Sequence, residues 1–229
     1  FNGLSGSGTV TGNCYGYQAN LTVGANNATS TFQGYLQNIN LVKTGSGTIT
    51  IGSCDLGAWG YLQIEEGTLR LGTWSGIWSV NVQGGTFDLN GYSLGVTALN
   101  STSSGVIDNT SDNAASLYVT PSYYECEGQW YTCSGSGWLY GPVRNTGGGP
   151  LSLQACGWDW YNSSFIHLAG TNSYTGNTEA WYGGTIQVAG GSAIPDTSTV
   201  WLYSPDPYYY PQSTLDLYGN SETIGGIDG

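Results

Sequence analysis

The sequence predicts an all-β chain wound as a parallel β-solenoid, and three observations predict it. Glycine takes 38 of 229 positions, more than double its average share of roughly 7%. Charged residues make up 8% while Phe, Trp and Tyr reach 14%, so the surface is neutral, polar and aromatic. One short phrase, Gly or Ser, then Thr, then apolar–polar–apolar, returns along the whole chain. Short strands repeated in this way suit stacked coils, because a single coil cannot bury its inner face and neighbours share one apolar column.

The same numbers exclude other classes. Lys plus Arg total 3 against 15 Asp plus Glu, a net charge of −12, which cannot neutralise a phosphate backbone, so no nucleic-acid partner is expected. No apolar run approaches the ~20 residues of a membrane-spanning helix. Disorder requires few aromatic and β-branched residues, collagen requires a three-residue glycine period, and a helical protein requires Ala, Glu, Lys and Leu where this chain has Gly, Thr, Ser and Asn. Five cysteines in a weakly charged chain point to an extracellular, oxidising setting. A start at Phe1 with no methionine reads as a mature exported chain whose signal has been removed.

The phrase appears as Gly8-Thr9-Val10-Thr11, Gly47-Thr48-Ile49-Thr50-Ile51, Gly67-Thr68-Leu69-Arg70-Leu71 and Gly85-Thr86-Phe87-Asp88-Leu89. It returns as Gly184-Thr185-Ile186-Gln187-Val188, Ser198-Thr199-Val200-Trp201-Leu202 and Ser213-Thr214-Leu215-Asp216-Leu217. Alternate strand residues face opposite ways, so each phrase points two apolar side chains inward and one polar or aromatic side chain outward. A longer echo overlies it. Val42-Lys43-Thr44-Gly45-Ser46-Gly47-Thr48-Ile49-Thr50-Ile51 is echoed by Val143-Arg144-Asn145-Thr146-Gly147-Gly148-Gly149-Pro150-Leu151-Ser152-Leu153, and Cys54 and Cys156 follow these two segments at the same offset. The chain therefore reads as two tandem units of one continuous solenoid, 1–98 and 99–229, the second enlarged by an aromatic, Cys-rich insertion near 120–140. About ten coils spaced ~4.8 Å apart give a rod of about 50 Å.

The run Gly170-Thr171-Asn172-Ser173-Tyr174-Thr175-Gly176-Asn177-Thr178, followed by Gly184–Val188, resembles the autotransporter-associated β-strand repeat. Lys43–Ile51 and Thr223-Ile224-Gly225-Gly226-Ile227 are similar to further pieces of that pattern. The resemblance implies a right-handed parallel β-helix, a passenger-type fold, on the outside of a bacterial cell, without catalytic residues. The chain departs from the family in its cysteines, its Trp and Tyr content and the 120–140 insertion. It also lacks the series of ~ten-residue alternating strands that an outer-membrane barrel needs.

The two ends match. Gly226-Ile227-Asp228-Gly229 and Asn2-Gly3-Leu4-Ser5-Gly6 are versions of one phrase. No charged or Pro-protected cap is evident at either end, and a solenoid needs one to stay monomeric. Phe1, Leu4 and Val10 at one end, with Ile224 and Ile227 at the other, are therefore expected to form a subunit interface. Such a contact joins different surfaces, does not close, and builds open filaments. The chain is expected to be the structural subunit of an extracellular filament. The rival expectation is an autotransporter-like surface adhesin that stacks glycans on Trp158 or Trp160.

No enzyme, metal or cofactor is expected. His167 is the lone histidine, and a strand position in Phe165-Ile166-His167-Leu168 reads as a surface or coil-stacking residue. Glu65 and Glu66, adjacent in a strand, face opposite ways and form no carboxylate pair. The basic residues Lys43, Arg70 and Arg144 lie in separate segments. No Cys-x-x-Cys or His/Cys zinc spacing occurs. Cys126 and Cys133 are expected to bridge locally and Cys14 to bridge Cys54 between coils, leaving Cys156 unpaired or intermolecular. Trp59, Trp74, Trp78, Trp130, Trp138, Trp158, Trp160 and Trp181 are expected mostly in turns, and Tyr208-Tyr209-Tyr210 in an exposed loop. Asn20, Asn27, Asn100, Asn109 and Asn162 carry glycosylation sequons.

Overall fold

A computed structural model describes residues 3–12, 18–57, 60–73, 75–126, 129–158, 162–206, 208 and 210–229, with the backbone alone at 123–126 and 129–131. Among these residues there is no helix, and strands numbered in chain order build three parallel sheets. The architecture is that of a β-solenoid.

The first sheet runs β1 (Thr9–Thr11), β3 (Ser30–Gln37), β5 (Thr48–Asp55), β7 (Thr68–Leu71), β9 (Thr86–Asp88), β12 (Val106–Asp108) and β17 (Val143–Arg144). The second has nine strands: β2 (Ala19–Val23), β4 (Ile39–Lys43), β6 (Tyr61–Ile64), β8 (Ser79–Val82), β11 (Ala98–Ser101), β16 (Gly135–Leu139), β19 (Ser164–Leu168), β21 (Thr185–Val188) and β23 (Thr214–Asp216). The third begins only at β10 (Leu94–Val96) and continues through β13 (Ala115–Val119), β18 (Leu151–Cys156), β20 (Thr178–Trp181), β22 (Thr199–Tyr203) and β24 (Gly226–Asp228). Among the described residues the longest sheet has nine rungs, which at ~4.8 Å each make a stack of roughly 40 Å. The second sheet crosses residues 98–99 without a break, with Val80 in register with Leu99.

Register explains the core. Leu21, Leu41, Leu62, Val80 and Leu99 stack inward along the second sheet, followed by Gly137, Ile166, Ile186 and Leu215. Ile49, Leu69, Phe87, Ile107 and Val143 do the same along the first, all fully buried. Each such side chain removed from water stabilises by about 1.5–3 kcal/mol, and its burial depends on what stacks against its rung.

A bulge bends the first sheet: Gln33 and Gly34 of β3 oppose the single Gly52 of β5, and the extra residue kinks the strand. Gly34 is required, since a Cβ there would meet the Gly8 carbonyl and the Phe32 ring. The 120–140 insertion is an antiparallel hairpin, β14 (Ser122–Cys126) with β15 (Gln129–Cys133), forming its own sheet between β13 and β16.

Two sequence expectations are corrected. Strand β6 stops at Ile64, so Glu65 and Glu66 both lie exposed in the following turn rather than in a strand. Trp138 and Trp181 sit within strands β16 and β20 rather than in turns, because the outward face of a rung accepts a large ring.

Candidate functional site

The two ends of the stack are where the repeat leaves its hydrogen bonding incomplete. Strands β1 and β2 border one end, β23 and β24 the other, each with a strand neighbour on one side only. Leu4 and Val10 are half-buried against the core, as are Leu215 and Ile224. Phe1 lies outside the described residues. In the third sheet Leu94, Leu117, Leu153, Thr178, Val200 and Ile227 form one inward column. Val200 is 0% exposed and Ile227, the last member, 64%. Beside Ile227 a groove of about 630 Å³ is lined by Leu202, Tyr203, Ser213, Asp228 and Gly229.

On the third side of this tip one charged side chain takes up backbone amides, where the sequence showed no charged cap. Beyond β17 the ladder is continued by side chains. The Val143 amide donates to Asn172 Oδ1 (2.7 Å), and Asn172 Nδ2 donates to the Ala193 carbonyl (2.6 Å). The Glu222 carboxylate then accepts from the amides of Ala193 (3.4 Å) and Ile194 (3.1 Å). An acid thus accepts backbone amides on one side of the tip, while among the described residues the outer edges of β23 and β24 have no strand neighbour.

On the first sheet four charged side chains pair with one another. Arg70, Asp88, Asp108 and Arg144 occupy one outward column of the first sheet in that order. Arg70 Nε donates to Asp88 Oδ2 at 2.6 Å and Arg144 Nε to Asp108 Oδ2 at 2.9 Å. Asp88 also accepts from the amides of Asn90 (2.9 Å) and Thr110 (3.1 Å) and from Thr110 Oγ1 (2.7 Å). Asp108 accepts from the Thr146 amide (2.9 Å) and hydroxyl. Two carboxylates one rung apart resemble an acid–base pair in spacing, but both are buried and engaged. Among the described residues, no group of three or more His, Cys, Asp or Glu is placed to hold a metal.

Lys43 is fully buried. Its ammonium donates to the carbonyls of Thr44 (2.8 Å), Gly45 (2.5 Å) and Glu66 (3.0 Å), tying successive turns together. Burial lowers its pKa from the usual lysine value, partly offset by the Glu66 charge. The parity of β4 carried this signal, since Ile39, Leu41 and Lys43 share the inward face.

His167 is buried in an aromatic stack on the second sheet. Its ring centroid lies 5.1 Å from Trp138, 5.7 Å from Tyr140 and 6.4 Å from Phe165, as coil stacking predicts. A second aromatic group gathers on the third sheet, with Trp181 and Tyr203 centroids 5.0 Å apart and Tyr182 and Tyr210 also 5.0 Å apart. Half-buried Trp158 borders it beside Tyr182 and Tyr210. Trp160 lies outside the described residues.

The two expected disulfides are corrected, while Cys156 is unpaired, one of its two expected states. Cys54, Cys133 and Cys156 are free thiols. In the hairpin Cys126 faces Gln129 and Cys133 faces Ser122, so register sets the two cysteines four residues apart along the ladder and no local bridge forms. Cys14 lies outside the described residues. Cys54 is an inward core residue aligned with Leu36 and Val10, and burial pushes its thiol up to about 11; Cys156 is raised by burial as well. Asn20 and Asn27 are exposed and Asn100 half-exposed, whereas folding buries Asn109 and Asn162. Asn109 Nδ2 donates to the carbonyls of Asn113 (2.9 Å) and Gly149 (3.0 Å), so this amide is closed to modification in the folded chain.

Among the described residues no helix is long and apolar enough to cross a membrane. Comparison of the chain with protein-family models, curated proteins and solved structures finds no match.

Proposed function

We propose that this chain is the structural subunit of an extracellular bacterial filament that polymerises head to tail by stacking solenoid ends. In this reading it is a right-handed parallel β-helix of the autotransporter-associated repeat type, and it carries load rather than chemistry. The observation that supports it is Ile227, an inward residue by register that lacks a covering rung. A second copy stacked on this tip would cover Ile227 and the adjoining groove, and its β2 would extend the second sheet from the open edge of β23. The receiving edge suits it: β1 and β2 carry no charged residue, so the Asp216 and Asp228 carboxylates meet neutral partners. Joining unlike surfaces without closure gives a fibre.

Electron microscopy of the purified chain tests this. Fibres with an axial step near one stack, roughly 40 Å at ~4.8 Å per rung, are expected, and Ile227→Lys should abolish them. Monodisperse monomers of the unaltered chain at high concentration would defeat the proposal.

A further inference from the structure

On the flank of the second sheet, away from both ends, lies a cleft of about 470 Å³ bordered by Asn81, Asn100, Thr102, Ser103, Trp138 and Tyr140. Register aligns Asn81, Asn100, Trp138 and His167 in one outward column. Trp138 and Tyr140 are 42% and 48% exposed, although both are large rings that gain from leaving water.

The platform is rigid. Trp138 packs on Phe165 at 5.3 Å between centroids, tilted by 59°, and on His167 at 5.1 Å and 38°. The histidine is itself fixed. Gln187 Nε2 donates to Asp216 Oδ2 at 2.7 Å, which leaves Gln187 Oε1 to accept from His167 Nδ1 at 2.8 Å. A chain running Asp216–Gln187–His167–Trp138 therefore sets the ring plane before any ligand arrives, which lowers the ordering cost of binding.

The polar wall is unspent. Elsewhere the ladder amides bond one another, as Asn40 Nδ2 does to Asn20 Oδ1 at 2.9 Å. Among the described residues, the side chains of Asn81 and Asn100 have no hydrogen-bond partner in the protein. Each offers two donors and one acceptor, one rung apart.

We infer that this cleft binds a neutral hexose glycan, laid along the column with pyranose C–H faces against Trp138 and Tyr140 and hydroxyls on Asn81 and Asn100. Two flat rings beside paired amides match a sugar, apolar on its faces and polar at its rim. The rung spacing of ~4.8 Å is close to the length of one sugar unit in an extended chain, so successive rungs meet successive units. Charge selects the class: none of the bordering residues is ionised, and the net charge of −12 repels uronic and sulfated chains. The basic side chains are spent elsewhere, Lys43 inside the core and Arg70 and Arg144 in ion pairs on another sheet. The cleft contains no end residue, so this inference and the filament proposal stand or fall separately.

Tryptophan fluorescence and calorimetric titration of the full chain test it, with hexasaccharides of β-linked glucose, mannose and galactose as probes and oligogalacturonate as the acidic comparison. Saturable binding of at least one neutral probe is expected, weakened about tenfold by Trp138→Ala, the loss of a stacked ring. Trp138→Phe should retain part of it, and Trp201→Ala on the third sheet should change nothing. Tyr140→Ala and Asn100→Ala should weaken the same probe, and these carry the test if Trp138→Ala fails to fold. Indifference to every neutral probe, preference for the acidic one, or binding that survives these changes would overturn the inference. So would loss of side-by-side fibre bundling in Trp138→Ala with sugar binding intact, which would mark the cleft as a protein contact.

Discussion

Asp88 and Asp108 stand on adjacent rungs of one outward column, both buried, and each is clasped by its own arginine. Like charges at that spacing repel, and the flanking Arg70 and Arg144 offset the repulsion. Arg70→Met leaves Asp88 with its amide and hydroxyl donors but no countercharge, and should destabilise by about 2 kcal/mol, since the arginine is partly exposed and the carboxylate is not. Adding Asp88→Asn should restore about half of that loss by removing the stranded charge. Denaturant unfolding of the three chains reads both outcomes.

Lys43 predicts a pH dependence with a definite sign. Its pKa is lowered in the fold below the unfolded value of 10.5. Between the folded and unfolded values the unfolded chain holds the extra proton, so stability rises with pH across that window. Below the folded value the burial cost is present in full. The difference in unfolding free energy between the native chain and Lys43→Met should therefore shift in favour of the native chain as pH climbs toward 10.5. A flat difference would show that the ammonium is not desolvated.

The turn that holds this ammonium requires glycine. Gly45 has φ +69°, and a Cβ there would strike the Gly24 carbonyl oxygen and crowd Asn27 Oδ1. Gly45→Ala should cost about 2 kcal/mol or more through positive-φ strain and the clash, measured as a lowered unfolding midpoint.

Position along the rod should decide what a core truncation does. Leu41 is fully buried between rungs, so Leu41→Ala should cost about 3 kcal/mol. Ile227 is already 64% exposed, so Ile227→Ala should cost below about 1 kcal/mol in the isolated chain. If ends stack, the same change should raise the concentration needed for fibre assembly.

Thiol labelling should follow burial. Cys54 is closed within the core and its thiolate disfavoured, with the thiol raised to about 11. It should resist iodoacetamide near neutral pH until the chain unfolds, while the half-buried Cys133 reacts in the folded state. Mass spectrometry of digested peptides separates the sites.

The sequence by itself determined the strands and their parity. Thr-Ile-Thr-Ile in β5, Thr-Leu-Arg-Leu in β7 and Thr-Ile-Gln-Val in β21 alternate inward and outward because alternation is a property of the extended backbone alone. In β4 the same alternation sets Lys43 inward, beside Ile39 and Leu41. The tertiary structure alone decided which rung lies on which. Pairing Asp88 with Asp108, placing Trp138 against His167 and setting Cys133 opposite Ser122 all depend on register between segments joined by turns of unequal length, which no local pattern encodes. It also decided the difference between Val200 and Ile227, similar residues at the same position of successive rungs. Burial comes from the neighbour that covers a side chain, and only the stack shows where the neighbours run out.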